Sequence, residues 1–340
     1  MTARVKPIRL PPNQLHRFYR GGARIAGLRS TSNDDPYAPE EWIASMASPF
    51  GEPGAGVSRL ADGTSLPDAI AADPEAYLGP DHVERFGPDV AVLIKLLDAG
   101  ERLPVHFHPD DSFARRHLDS PHGKTEAWII LESSPDAEVH VGFREEVTRD
   151  EIAGWVEAQD SETMLAALNR MGVSAGDTIF VPAGAPHAIG DGILLAELQQ
   201  PTDFSVLMEW EGFALDGPGA GHLGLGFDIA LDALDRSPWD GERLARATSG
   251  RGVDGRPGVE TLFPPEADPY FRAERIRPAP TTLEPAFSVL IVTEGTGGLE
   301  GDGWEMRLGR GDATLVPHAA GACELAGPVE ILRCMPPAGK

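Results

Sequence analysis

The chain is poor in cysteine, with only Cys323 and Cys334 among 340 residues. That excludes a disulfide framework as its source of stability and makes a reducing cytoplasm the default setting. No apolar run approaches the ~18 residues of a membrane-crossing helix, and the N-terminus has no hydrophobic signal core. Positive charge is scarce too: 29 Lys and Arg stand against 53 Asp and Glu, a formal net charge of −24. Nucleic acids and anionic membranes are bound through basic surfaces, so neither is an expected partner. One local exception is residues 1–30, which hold seven Lys/Arg and no acid. A transit peptide would also be Ser-rich; this stretch is not, and it runs into the turn signal Gly21-Gly22.

What is present favours short strands. Gly (39) and Pro (31) are plentiful, and 41% of residues are apolar, enough for packed cores. The length suits two domains. Strands are expected on either side of Gly21-Gly22, at 89–97, 103–108, 124–132, 138–143, 177–181 and 192–199. Residues 49–82 read as loops around a short helix. Between 148 and 171 the apolar residues Ile152, Trp155, Val156, Leu165 and Leu168 recur at helical spacing, in one or two pieces, with Asp150 and Ser161 as candidate N-caps. Residues 216–259 form a Gly/Pro-rich connecting segment with one helical stretch, 229–234. Strands return at 287–293, 304–308, 313–316 and 329–335. Many short strands separated by turns predict a mainly β chain of antiparallel sandwiches or barrels.

The stretch Pro104–Glu126, PVHFHPDDSFARRHLDSPHGKTE, carries the chemistry. His106 and His108 are two apart, as are Lys124 and Glu126, so on strands each pair shares a face. Two imidazoles and a carboxylate leave a divalent metal short of one ligand, and His187 is the candidate for it. Gly100 precedes His106-x-His108 by five intervening residues; Gly176 likewise precedes Pro182-x-Gly184, and His187 follows two residues on. These spacings match the paired motifs of the cupin barrels. Imidazole and carboxylate suit Zn²⁺, and also Fe, Mn or Ni. The other histidines, such as His82, His117, His122, His140 and His222, read as ordinary surface or hydrogen-bonded residues.

The runs VLIKLLDAGERLPVHFHPDD, GKTEAWIIL, VGFREEVTRDEI, AGDTIFVPAGAPHAIGDGILLAELQQPTD and PEEW resemble the type I mannose-6-phosphate isomerases, closest to their shorter bacterial forms. The likeness is strong over about 88–210 and weaker over 14–50. It implies two cupin-type β-barrels, or jelly rolls: an N-terminal catalytic domain (1–215) with a small helical insertion at about 148–171, and a C-terminal domain (260–340). It implies one Zn²⁺ per chain held by His106, His108, Glu126 and His187. His106 stands where the family usually has Gln. Lys124 matches the Lys of the family's GKTE motif beside the substrate; Glu197 and Asp203 match an active-site Glu and Asp. Asp203 is the favoured proton handler, with Glu197 orienting a ligand or touching substrate.

The implied activity is aldose–ketose isomerisation of mannose 6-phosphate and fructose 6-phosphate through a cis-enediol. One departure qualifies the substrate. Four residues after the Asp the family carries an Arg, and this chain has Leu207; Arg115, Arg116 and Arg144 are the candidates to replace it. The alternatives are therefore an isomerase of another, possibly unphosphorylated, sugar, or a non-catalytic sugar-binding cupin; a metal-dependent oxygenase is disfavoured by the GKTE and PAGAPHA context. In the second domain Gly311 and Pro317 repeat the spacing of Gly176 and Pro182, but Ala319 and Ala322 replace Gly184 and His187, and His318 is off the ligand position. A barrel without a metal site is expected there. The expected partner is a small sugar or sugar phosphate, and the expected state a monomer or small homo-oligomer.

Overall fold

The computed structural model describes residues 6–253, 255–277 and 280–338. It is mainly β, with three antiparallel sheets. A six-stranded sheet runs in the order Gln14–Leu15, Glu40–Ile43, Leu93–Ala99, Ile193–Gln199, Glu126–Ser133, Thr178–Val181. A five-stranded sheet runs Val206–Leu207, His106–Phe107, His187–Ile189, Glu138–Phe143, Leu168–Gly172. The third sheet, ten-stranded, holds the C-terminal strands from Gly252 onward and also Ile8–Arg9, which pairs with Leu315 and Thr314. Among the described residues no sheet closes on itself by hydrogen bonding.

Strand periodicity sorts the side chains into layers. Leu97, Trp128, Ile130 and Leu195 of the six-stranded sheet meet Val139, Val141 and Ile189 of the five-stranded sheet in one core. The alternate residues Ile94, Leu96, Ile129, Ala196 and Leu198 face the other way, onto Val289, Ile291, Leu315 and Leu332 of the ten-stranded sheet. The outer face of the five-stranded sheet, with Phe107, Phe143 and Val206, is covered by Ile152, Val156 and Met164 from the helical insertion. The central strands Leu93–Ala99 and Ile193–Gln199 are thus buried on both faces, so their inward polar residues are committed to the space between the two sheets.

Several local expectations change. Gly21-Gly22 leads into a helix, Ala23–Arg29, instead of a second strand. Gly22 has φ +102°, and the buried Asp98 carboxylate accepts the N–H groups of Gly22 and Arg24 at 2.8 Å each, supplying the start that no local side chain provides. The insertion is two helices, Arg149–Ala158 and Ser161–Ala167, capped by Thr148 and Asp160 and not by Asp150 and Ser161. Thr148 and Glu151 form a reciprocal capping box. Residues 66–86 form three short helices, and 111–117, inside the polar insertion, forms another.

Candidate metal centre

Antiparallel pairing brings the two histidine motifs together. His106 pairs with His187 on one side and with Leu207 on the other. Gly184 closes the second motif: it has φ +85°, and its N–H donates to the His108 carbonyl at 2.7 Å. A side chain at Gly184 would meet the Ala233 carbonyl oxygen at 3.2 Å. Across the cavity, Glu126 begins the strand Glu126–Ser133 and pairs with Gln199 and Val181. The histidines therefore sit on one wall and Glu126 on the other.

Ligand atoms of His106, His108 and His187 lie within 4.8 Å of one another. Glu126 Oε2 is 3.0 Å from His108 Nε2, and Glu126 Oε1 is 3.3 Å from His187 Nε2. All four side chains are buried. Each imidazole turns Nδ1 onto a backbone carbonyl: Pro104 at 2.8 Å, Phe204 at 2.8 Å and Ala185 at 2.9 Å. Those bonds place the proton on Nδ1 and leave the three Nε2 lone pairs facing inward. Burial lowers the pKa of all three imidazoles, and adds to the repulsion from Lys124 to bring His108 down to about 3. They are neutral at physiological pH, as ligands must be. His187 Nε2 and Glu126 Oε2 are buried without an aligned hydrogen bond. Three inward lone pairs, an unsatisfied carboxylate oxygen and an orphaned imidazole nitrogen fit a divalent cation. Trp128 Nε1 donates to Glu126 Oε1 at 3.0 Å and fixes its plane.

Around this cluster is a cavity of about 370 Å³, within the range of small-molecule sites. Lys124, Glu197 and Asp203 all line it. Lys124 Nζ is 3.0 Å from both Glu126 Oε2 and His108 Nε2. Glu197 and Asp203 flank Lys95, at 3.5 and 3.6 Å. Arg115 and Arg144 donate to nearby backbone carbonyls of Pro121 and Ala166, and neither these nor Arg116 lines the cavity.

Reading the sequence missed Arg17, Glu40 and Lys95, which also line the cavity. Lys95 is 2% exposed and lies 3.4 Å from Glu40. Arg17 Nη2 donates to Asp203 at 2.9 Å, and its Nε is 3.3 Å from Glu40 Oε1. Tyr19 and Trp42 donate to Glu40 at 2.6 and 2.7 Å. The signal was a lysine within the apolar run Val90–Leu97, where a charge is buried only if paired. Burial alone would raise the Glu40 carboxyl, but Lys95 and Arg17 hold it well below its ordinary value. Asp203 is likewise held down, against burial, by Arg17 and Lys95. Glu197 goes the other way: burial first, then Glu126, push it up to about 7. Its Oε1 is buried with no hydrogen-bond partner. Asp203 is thus held ionised between two cations, whereas the Glu197 carboxyl titrates nearer neutrality.

No protein-family model matches the chain. Its sequence is similar to mannose-6-phosphate isomerase ManA of Bacillus subtilis (strain 168), with 38% identity over 117 residues, 34% of this chain and 36% of that protein. It is 32% identical over 195 residues to the mannose-6-phosphate isomerase of Streptococcus mutans, 56% of this chain and 57% of that one. These alignments cover between about a third and somewhat over half of the relatives' length. The fold is shared throughout. A crystal structure of mannose 6-phosphate isomerase from Bacillus subtilis superposes with a TM-score of 0.79 at 24% identity, covering 97% of this chain and 99% of the other. A mannose 6-phosphate isomerase bound with zinc and yttrium superposes at 0.75 and 16% identity, covering 98% and 100%.

Proposed function

We propose that this chain, a divergent relative of the mannose-6-phosphate isomerases, is a metal-dependent aldose–ketose isomerase that interconverts mannose 6-phosphate and fructose 6-phosphate. The observation that carries the reading is the inward convergence of three Nε2 atoms, each with its tautomer set by a backbone carbonyl, beside Glu126 and Lys124 at the wall of a sugar-sized cavity. The resemblance in sequence and fold to enzymes of that name supports the substrate.

The donor set of three imidazoles and one carboxylate suits zinc, which we infer as the resident ion, held by His106, His108, Glu126 and His187. A divalent cation there supplies Lewis acidity toward the sugar's carbonyl end. The protein supplies the rest. Isomerisation removes the C2 proton of the open-chain aldose, returns a proton to C1, and moves the O2 proton to O1, with no net change in oxidation. Glu197 is the residue we assign to the carbon-bound proton, since it lines the cavity and its carboxyl, pushed up to about 7, can both accept and return a proton. To Lys124, which lines the cavity beside Glu126, we assign donation to a substrate oxygen as charge develops there. Asp203 orients Lys95 and Arg17. Burial of these groups between the two sheets lowers the local dielectric and strengthens their interactions.

The test is direct. Zinc-loaded protein is incubated with mannose 6-phosphate and, in parallel, with free mannose and other aldoses, and ketose formation is followed. Conversion of mannose 6-phosphate to fructose 6-phosphate is the expected result. Turnover of free sugars alone would overturn the substrate, and absence of any turnover with one metal bound per chain would overturn the enzyme reading.

A further inference from the structure

The cavity's charged side chains form a ladder across the six-stranded sheet. Glu126 stands on one strand and Glu197 on the next. Lys95 follows on the third strand and Glu40 on the fourth, each at the inward position of its register. Beyond Glu40 the edge strand Gln14–Leu15 carries the chain to Arg17, whose guanidinium turns back to Asp203 and Glu40. Metal ligands stand at one end of this row and Arg17 at the other.

The three cations of the row differ in what they have left to give. Lys95 is surrounded by Glu40, Glu197 and Asp203, all within 3.6 Å. Lys124 is engaged with Glu126 and His108 at 3.0 Å. Arg17 makes one aligned hydrogen bond, to Asp203, among the described residues, and its buried Nε makes none despite the nearby Glu40 oxygen. A guanidinium has five N–H donors in a planar fork suited to two oxygens of one phosphate. Arg17 is therefore the cavity-lining cation with donors to spare. The cavity is also lined by the apolar Phe50, Leu207, Leu215 and Leu223, which offer an anion nothing, by His16, whose Nδ1 is paired with Asp35, and by the Ser205 hydroxyl beside His108.

We infer that Arg17 receives the phosphate end of the substrate. The separation agrees. Neighbouring strands are about 4.8 Å apart, so the two to three steps from the Glu126 strand to the Lys95 and Glu40 strands cover roughly 10–14 Å. An extended hexose phosphate, with eight bonds from O1 to phosphorus at about 1.2 Å each along the chain, is roughly 10 Å long. With the sugar's carbonyl end at the histidines, its phosphate reaches the guanidinium.

This assignment rests on the cavity taking a sugar phosphate, so its test uses ligands that cannot be isomerised. Glucitol 6-phosphate and glucitol are titrated by calorimetry into zinc-loaded wild type, Arg17→Leu, Arg17→Gln and Arg17→Lys. Wild type is expected to bind glucitol 6-phosphate at least tenfold more tightly than glucitol. That advantage should fall to under twofold in Arg17→Leu and Arg17→Gln and be reduced three- to tenfold in Arg17→Lys, with glucitol affinity unchanged throughout. Arg17→Lys keeps a cation for Asp203 and Glu40 and carries the test if the neutral variants do not fold. An undiminished phosphate advantage in the variants, or none in wild type, overturns the inference. Failure of mannose 6-phosphate turnover would sink the isomerase reading separately, because binding is read here without turnover.

Discussion

Replacing Lys95 by Met should destabilise the protein strongly, and the effect should shrink as pH falls. Lys95 is 2% exposed, within 3.6 Å of Glu40, Glu197 and Asp203, and its ammonium lies 5.1 Å from the centre of the Trp42 ring. Methionine fills a similar volume, so the loss is electrostatic. Breaking a buried ion pair by removing one partner costs about 3–5 kcal/mol, because the remaining charge stays desolvated. At a urea m-value of about 2 kcal/mol/M that lowers the unfolding midpoint by roughly 2 M. In wild type, Glu40 is held below its ordinary value, so its contribution is present above the unfolded pKa of about 4.3 and is lost only as pH falls through the lower folded value. Without Lys95 all three carboxyls rise, Glu197 from a value already pushed up to about 7. The native variant then binds more protons than its unfolded chain, and its stability increases as pH drops. The gap between variant and wild type should therefore narrow by about 1–2 kcal/mol between pH 8 and pH 5.5, roughly one pKa unit of relief on one carboxyl. Adding Glu197→Gln to the variant should recover a similar amount at pH 8. Urea unfolding at fixed zinc concentration, followed by the fluorescence of the buried Trp42 and Trp128, reads both numbers. A midpoint shift below about 0.5 M, or a gap independent of pH, would refute the charge ladder as described.

Three further outcomes are expected. Glu197→Gln should lower kcat by about 10²–10⁴ with KM within a few-fold, measured on mannose 6-phosphate, because the amide cannot take up the carbon-bound proton. His187→Ala should reduce bound zinc, measured by elemental analysis after gel filtration, to well below one per chain, and chelation of wild type should abolish turnover until zinc is restored. Gly184→Ala should cost about 1–2 kcal/mol, since the residue's φ of +85° is left-handed and its Cβ would press on the Ala233 carbonyl. Its zinc affinity should fall too, because the Gly184 N–H holds the His108 backbone.

How far the site was readable from sequence follows from the distance over which each part is specified. His106-x-His108 and Lys124-x-Glu126 are local: strand alternation alone places each pair on one face, and in the structure His106, Lys124 and Glu126 line the cavity with His108 clustered beside them. His187 was reachable because its motif carries its own turn, built on Gly184. The mainly β architecture was readable for the same reason, strand by strand, whereas the helix at Ala23 was not, since its start is capped by Asp98, 76 residues away in sequence from Gly22. The charge ladder lies wholly in that second class. Arg17 meets Asp203 across 186 residues of chain, and no spacing rule connects them. Nor could sequence separate the two carboxyls. Glu197 lies in the strand Ile193–Gln199 and Asp203 in the loop after it; both line one cavity, and what divides them is which charges flank each. Asp203 falls between Arg17 and Lys95, where two cations hold it ionised; Glu197 falls between Lys95 and Glu126, where a second carboxylate keeps a proton within reach. With Glu197 proposed as the proton carrier, Asp203→Asn should lower binding and stability whereas Glu197→Gln should lower turnover.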